Sequence, residues 1–319
     1  MIIHFFILIV SFLFLAISSQ FLVKSVANLC KFLGWKEFVV AFLFIAFSVS
    51  LPNFSVGIIS ALKKIPELSL GDVVGGNIFD LSLCLGLAVL ISNNGILATS
   101  RTIQASAFYL VFLVLLFFIL ASDGLISRVD GLLLLFIFFL YIYWLFQKDD
   151  RFKKIYDGVS REEKKASFFL KNFVLFVLMA ALLLGSSYGV VVSAKALANF
   201  FNLSIGLVGL LIVAIGNSLP ETFFSLQAAR SNQNWLILGN LIGGVIVTMT
   251  LVLGIVSLIS PIKVGEIFYF FLARFFLLII ALFFLVFLRT HQKLSFAEGL
   301  ALVFLYVLYL LLVIFLIKS

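Results

Sequence analysis

Residues 46–53 read Ala-Phe-Ser-Val-Ser-Leu-Pro-Asn, and residues 214–221 read Ala-Ile-Gly-Asn-Ser-Leu-Pro-Glu. The two stretches align without a gap at a constant offset of 168, which carries Ala46 onto Ala214, Ser50 onto Ser218 and Pro52 onto Pro220. The register continues downstream. Leu70-Gly71 falls on Leu238-Gly239, Gly75-Gly76 on Gly243-Gly244, and Leu85-Gly86 on Leu253-Gly254. Leucine and glycine coincide easily by chance in an apolar chain, but an unbroken register from 46 to 86 does not. The chain is a duplicated unit.

Hydrophobic residues make up 64% of the 319 and charged residues 11%. The mean hydropathy is +1.29. A water-soluble domain of this length cannot hide so much apolar surface, so the solvent is lipid. A membrane-crossing helix needs about 20 apolar residues. Spans are expected near 3–30, 38–62, 68–92, 103–121, 129–146, 168–199, 204–229, 235–259, 267–288 and 295–317. The first apolar run has His4 but no Lys or Arg ahead of it, so it reads as the first span and not as a cleaved signal peptide. The first and sixth spans are long enough to tilt.

These spans divide into a first five-helix repeat over 1–146, a linker over 147–166 and a second repeat over 167–319. Five is odd, so the second copy enters the bilayer from the opposite side. The expected fold is an all-α integral membrane protein of ten transmembrane helices in two inverted five-helix repeats, an arrangement used by secondary transporters. The basic residues set its orientation. With the N-terminus outside, thirteen Lys and Arg residues fall on inner connections, seven of them between Lys148 and Lys165. Only Lys63, Lys64, Arg128, Lys263 and Lys318 fall outside. The positive-inside rule therefore places both termini outside and the 147–166 loop in the cytoplasm, against anionic lipid heads, in a plasma (inner) membrane.

Enzymatic chemistry has little to rest on. No phosphate-cradling glycine loop, zinc spacing or serine-nucleophile motif occurs, and Cys30 and Cys84 read as small apolar fillers. Most of the 40 Phe residues read as lipid-facing bulk, so no nucleic-acid partner and no cofactor is expected.

Polar residues at mid-membrane carry the functional reading. Pro52 and Pro220 each lack an N–H, which frees the carbonyls of Ser48 and Gly216 four residues earlier. The glycine pairs at 75–76 and 243–244 permit close approach or unwinding in the next span. Only Asp72, Asp80 and Glu221 are acids clearly inside spans. Each costs roughly 2.5–3.5 kcal/mol to insert, and so calls for a partner or an aqueous cavity. Counting from the hairpin turns near 65 and 232 at about 1.5 Å per residue puts Asn53 and Asp80 roughly 18–22 Å deep, close to the midplane. The same count brings Glu221 and Thr248 to matching depth, with Ser50 and Ser218 a turn away. Oxygen ligands of this kind suit Ca²⁺ or Na⁺, and two carboxylates neutralise one Ca²⁺, two Na⁺ or two protons. Arg274 and Lys195 could instead pair with the acids as structural ion pairs. Asp72, about 12 Å from Asp80 along the helix, falls on an access path or interface and outside the ligand layer.

At these residues the chain resembles the cation/calcium exchanger superfamily, whose repeats carry G-T-S-x-P-E on one helix and G-N-x-x-G-S-N-x-x-D/N on the next. Gly216-Asn217-Ser218-Leu219-Pro220-Glu221 matches the first pattern, and Gly71 to Asp80 (Gly-Asp-Val-Val-Gly-Gly-Asn-Ile-Phe-Asp) matches the second. The resemblance implies that positions 53 and 221 flank a calcium ion, that 80 and 248 complete the layer, and that the carbonyls of Ala46 and Ala214 contribute. The departures fall at the ligands. The family's first-copy Glu is Asn53 and its Thr is Val49; its Ser is Gly76 and Gly244; the last position of the second copy is Thr248. The expected function is antiport of Ca²⁺ against Na⁺, by rocking of the first and sixth spans across a four-helix core. A cation/proton exchanger, with Asp80 and Glu221 alternating between proton and metal, is the alternative within the fold. A transport-inactive scaffold is the alternative outside it.

Overall fold

The computed structural model describes residues 2–32, 50–92, 95–98, 100–148, 166–231, 234–264, 267–290 and 292–318. In a bilayer every backbone N–H and C=O must find its partner inside the protein, and apolar runs meet that demand as helices. The first repeat holds α1 (Ile2–Phe32), α2 (Leu51–Leu62), α3 (Glu67–Ile91), α4 (Arg101–Leu120) and α5 (Arg128–Lys148). The second holds α6 (Ala166–Phe201), α7 (Ile205–Arg230), α8 (Asn234–Val247, continuing to Ile259), α9 (Ile267–Thr290) and α10 (Phe296–Lys318). Nine helices among the described residues are long and apolar enough to span a membrane. The second expected span is described only over Leu51–Leu62, and its first half, with Ala46, lies outside the described residues. Most of the 147–166 linker does too.

Local chemistry repeats with the sequence. Ser127 accepts from the Asp130 N–H while the Asp130 carboxylate accepts from the Ser127 N–H at 2.7 Å, a capping box at the start of α5. Ser295 and Glu298 build the same box at the start of α10, with the Ser295 N–H donating at 2.7 Å. Helices α3 and α8 each carry a five-residue π-helical turn, at Asp80–Cys84 and Thr248–Val252. These turns are again 168 positions apart.

The repeats interlock. A Cβ on Gly86 of α3 would stand 2.8 Å from the Gly299 carbonyl oxygen of α10, and one on Gly131 of α5 would stand 2.8 Å from the Gly254 carbonyl oxygen of α8. Each contact is the symmetry mate of the other, and each joins helices of different repeats. Two short antiparallel bridges, unforeseen in the sequence, do the same: Ile96–Leu97 with Lys293–Leu294, and Leu125–Ile126 with Ile262–Lys263. Such two-residue strands satisfy backbone groups where helices end and leave the fold all-α.

Burial separates core from rim. In α3 and α8, 72% of the spanning residues are buried, against 28% in α1 and α6. Helices α1 and α6 lie along one another, with Ser11 against Gly189 and the Asn28 amide donating to Asn172 at 2.9 Å. At about 1.5 Å per residue both are longer than the roughly 30 Å hydrocarbon thickness, which leaves them length enough to span it at a tilt. Among the described residues the pair meets the core where Ser187 donates to Ser55 at 2.7 Å, where Lys63 donates to the Tyr188 hydroxyl at 3.4 Å, and where the Phe12 ring lies on Gly216.

Candidate functional site

The site is built where α2 and α7 pass the π turns of α3 and α8. A π turn inserts an extra residue per turn and re-aims the side chain at its start. Here that side chain is Asp80 in one repeat and Thr248 in the other. On α7, Ser218 and Glu221 lie three residues apart on one face; Asn53 lies in the first turn of α2, three residues after Ser50, the residue that caps that helix. Pro220 sits inside α7, which continues past it, whereas Pro52 occupies the first turn of described α2, where a missing N–H costs least.

All the candidate side chains in the described residues are buried: Ser50 2%, Asn53 8%, Asp80 9%, Ser218 2%, Glu221 7% and Thr248 3% exposed. Asp80 interacts with the Ser218 hydroxyl of the other repeat, and its charge acts on Glu221. Ser218 Oγ faces Gly76, 3.5 Å from where a Cβ would stand. Thr248 Oγ1 lies 2.9 Å from Asn77 Oδ1 and 3.1 Å from the Val245 carbonyl, so its one proton is held by either acceptor while its lone pairs stay free. Asn77 thereby links the repeats through a residue absent from the expected ligand list. Of the two outcomes expected for the glycine pairs, Gly75 shows close approach, since a Cβ there would overlap the Leu210 carbonyl, whereas a Cβ on Gly243 would meet nothing within 4 Å. Neither pair unwinds its helix, which departs from α geometry only at Asp80 and at Thr248.

Among the described residues, several buried acceptors at this level have no protein partner: Ser50 Oγ, Asn53 Oδ1, Asp80 Oδ1 and Glu221 Oε2. A buried acceptor left unmet costs about 1–3 kcal/mol, so four together mark a place suited to a cation. The structural ion pairs weighed from sequence do not form. Arg274 donates to the Ala121 carbonyl at 2.7 Å, closing the end of α4, and lies over the Phe118 ring. Lys195 is exposed on α6, beside a groove shared with Lys63. Among the described residues no three His, Cys, Asp or Glu side chains converge as a metal cluster, so neutral oxygens must supply much of any coordination. Asp72 stands at the crossing of α3 and α7, 1% exposed, and both its oxygens accept from Asn217 Nδ2, at 3.0 and 2.9 Å. That places it at the inter-repeat interface.

Inverted repeats, broken helix geometry and acids at their crossing define a secondary membrane transporter. The family model of the sodium/calcium exchanger protein matches residues 3–147 and again 171–315, and the chain belongs to that family. It is a transporter of the sodium/calcium exchanger type, not an enzyme. It is 26% identical to the sodium/calcium exchanger MaX1 of Methanosarcina acetivorans, over 97% of each chain. To the inner membrane protein YrbG of Escherichia coli it is 28% identical, over 82% of this chain and 80% of that one. Solved structures of the sodium-calcium exchanger NCX_Mj share its fold; one soaked with Na⁺ and Sr²⁺ gives a TM-score of 0.65 at 23% identity, covering 97% of this chain and 98% of that one.

Proposed function

We propose that the protein exchanges Ca²⁺ against Na⁺ through one site between its repeats, lined by Asn53, Asp80, Glu221 and Thr248. Ser50 and Ser218 lie a turn away, and the carbonyl of Ala214 adds a backbone oxygen; its counterpart Ala46 lies outside the described residues. The observation that carries this reading is the set of buried, unpartnered oxygens on α2, α3 and α7 at the level of the π turns. Hard cations take six to eight oxygen ligands, and a mixed set of carboxylate, amide, hydroxyl and carbonyl oxygens supplies them. Asp80 and Glu221 carry two negative charges, which balance one Ca²⁺ or two Na⁺. Both ions therefore compete for the same electrostatic compensation, and neither can leave without replacement except at the cost of bare buried charge. That requirement couples the fluxes.

Access alternates as the α1–α6 pair shifts across the core. The pair is suited to this because, among the described residues, its side-chain hydrogen bonds to the core are those of Ser187 with Ser55 and of Tyr188 with Lys63. Both termini lie outside and the central loop in the cytoplasm, in the plasma (inner) membrane. The test is equilibrium binding of ⁴⁵Ca²⁺ to the purified protein, with Na⁺ as competitor. Mutual displacement by the two ions supports the reading. Calcium binding indifferent to Na⁺, or no binding, contradicts it.

A further inference from the structure

We infer that Asp72 is a positioning residue that turns the amide of Asn217 so that its oxygen faces the cation layer, making Asn217 a further ligand for hard cations of the Na⁺ and Ca²⁺ class. The inference rests on the exchange site proposed above.

The argument begins with the ambiguity of an amide. An asparagine side chain presents an oxygen on one side and an NH₂ on the other, and only the oxygen can ligate a cation. In a layer that must hold metal ions, an asparagine free to rotate presents a repelling donor part of the time. Asn217 is 2% exposed and has a carboxylate 2.9 and 3.0 Å from one of its amide atoms. Two oxygens at that distance from a carboxylate would repel, so the atom facing Asp72 is Nδ2. The assignment follows from the hydrogen-bond network alone.

Oδ1 is then forced to the other side. Among the described residues it has no protein partner. Asn217 lies four residues before Glu221 on the same face of α7 and directly before Ser218, which engages Asp80. The orphaned oxygen therefore belongs to the same polar stripe as the proposed ligands. Metal ligands are commonly held by an outer partner in this way, and losing that partner typically costs 10–100-fold in metal affinity.

Glycines bring the two groups together. A Cβ on Gly71 would overlap the Gly206 carbonyl, one on Gly75 the Leu210 carbonyl, and one on Gly209 the Leu68 carbonyl. This near-contact of α3 and α7 backbones lets a short aspartate reach across. The device occurs in one repeat only. The residues equivalent to Asp72 and Asn217 are Asn240 and Val49; valine offers no oxygen, and Asn240 Nδ2 has no partner.

The test is a double-mutant cycle on the full-length protein, reading equilibrium binding of ⁴⁵Ca²⁺ and ²²Na⁺, with thermal unfolding followed on every variant. Asp72→Leu and Asn217→Ala should each weaken binding by about tenfold or more, and the double variant should be no weaker than the worse single one. Asp72→Asn keeps an acceptor for Nδ2 and should bind more tightly than Asp72→Leu at equal thermal stability. Losses that multiply in the double variant overturn the inference while leaving the exchange site standing. So does an Asp72→Leu loss that persists in full on the Asn217→Ala background. A wild-type protein that binds neither ion overturns both.

Discussion

Asp80 and Thr248 stand at the same place in the two repeats, each opening a five-residue π-helical turn, yet one is an acid and the other a neutral hydroxyl. Backbone symmetry is therefore kept where charge symmetry is not. The same holds for Asn53 and Glu221 on the neighbouring helices. In the proposed site each repeat contributes one acid, Asp80 or Glu221, and one neutral side chain, Asn53 or Thr248.

That distribution makes both acids indispensable. Glu221→Gln and Asp80→Asn are each expected to lower cation flux by at least about 100-fold, since ligand charge sets the affinity of such sites. Both variants should remain folded in the membrane, because amides preserve shape and remove a buried charge. Flux in proteoliposomes, beside thermal unfolding, checks both statements. Asp80→Asn with normal flux would show that the layer is drawn wrongly.

Asn53 invites the opposite change. Asn53→Glu adds a second charged, potentially bidentate ligand opposite Glu221, and calcium affinity should rise by about tenfold or more. Competition binding against ⁴⁵Ca²⁺ measures it. Unchanged or weaker affinity would remove Asn53 from the coordination sphere.

Gly216 lies under the Phe12 ring, and a Cβ there would overlap the ring carbons. Gly216→Val should therefore push α1 away from the core, with overpacking costing about 1–3 kcal/mol. The turnover rate should fall more than equilibrium calcium affinity does. An equal fall in both would mean that the α1 contact supports the site and not the motion.

Much of this was legible in the sequence, for a physical reason. A membrane protein can keep an acid in a span only where something compensates it, so Asp72, Asp80 and Glu221 stood out against the apolar background. The 168-residue register exposed the duplication because inverted repeats must conserve their close-packing glycines, Gly86 with Gly254 among them. The capping boxes at Ser127 and Ser295 sit on S-x-x-D/E patterns ahead of apolar runs and were not read from the sequence. Asn77 and Asn217 were not legible as working residues. Their partners, Thr248 and Asp72, are distant in sequence, and no periodicity encodes which way an amide turns. The π turns were equally hidden, because their residues are as apolar as the helices around them.

The proposed orientation rests on the distribution of charge and is open to direct labelling. A single cysteine introduced between 150 and 160 should react only with reagents that reach the cytoplasm. Modification from outside intact cells would invert the topology and the charge argument with it.

The exchange of Ca²⁺ for Na⁺ at one shared site is tested most directly by ⁴⁵Ca²⁺ uptake into proteoliposomes loaded with Na⁺ and diluted into Na⁺-free medium. Uptake should be rapid for the wild type, collapse when the Na⁺ gradient is dissipated, and be absent in Glu221→Gln. Uptake driven by a proton gradient and indifferent to Na⁺, or no uptake under either gradient, would contradict the account.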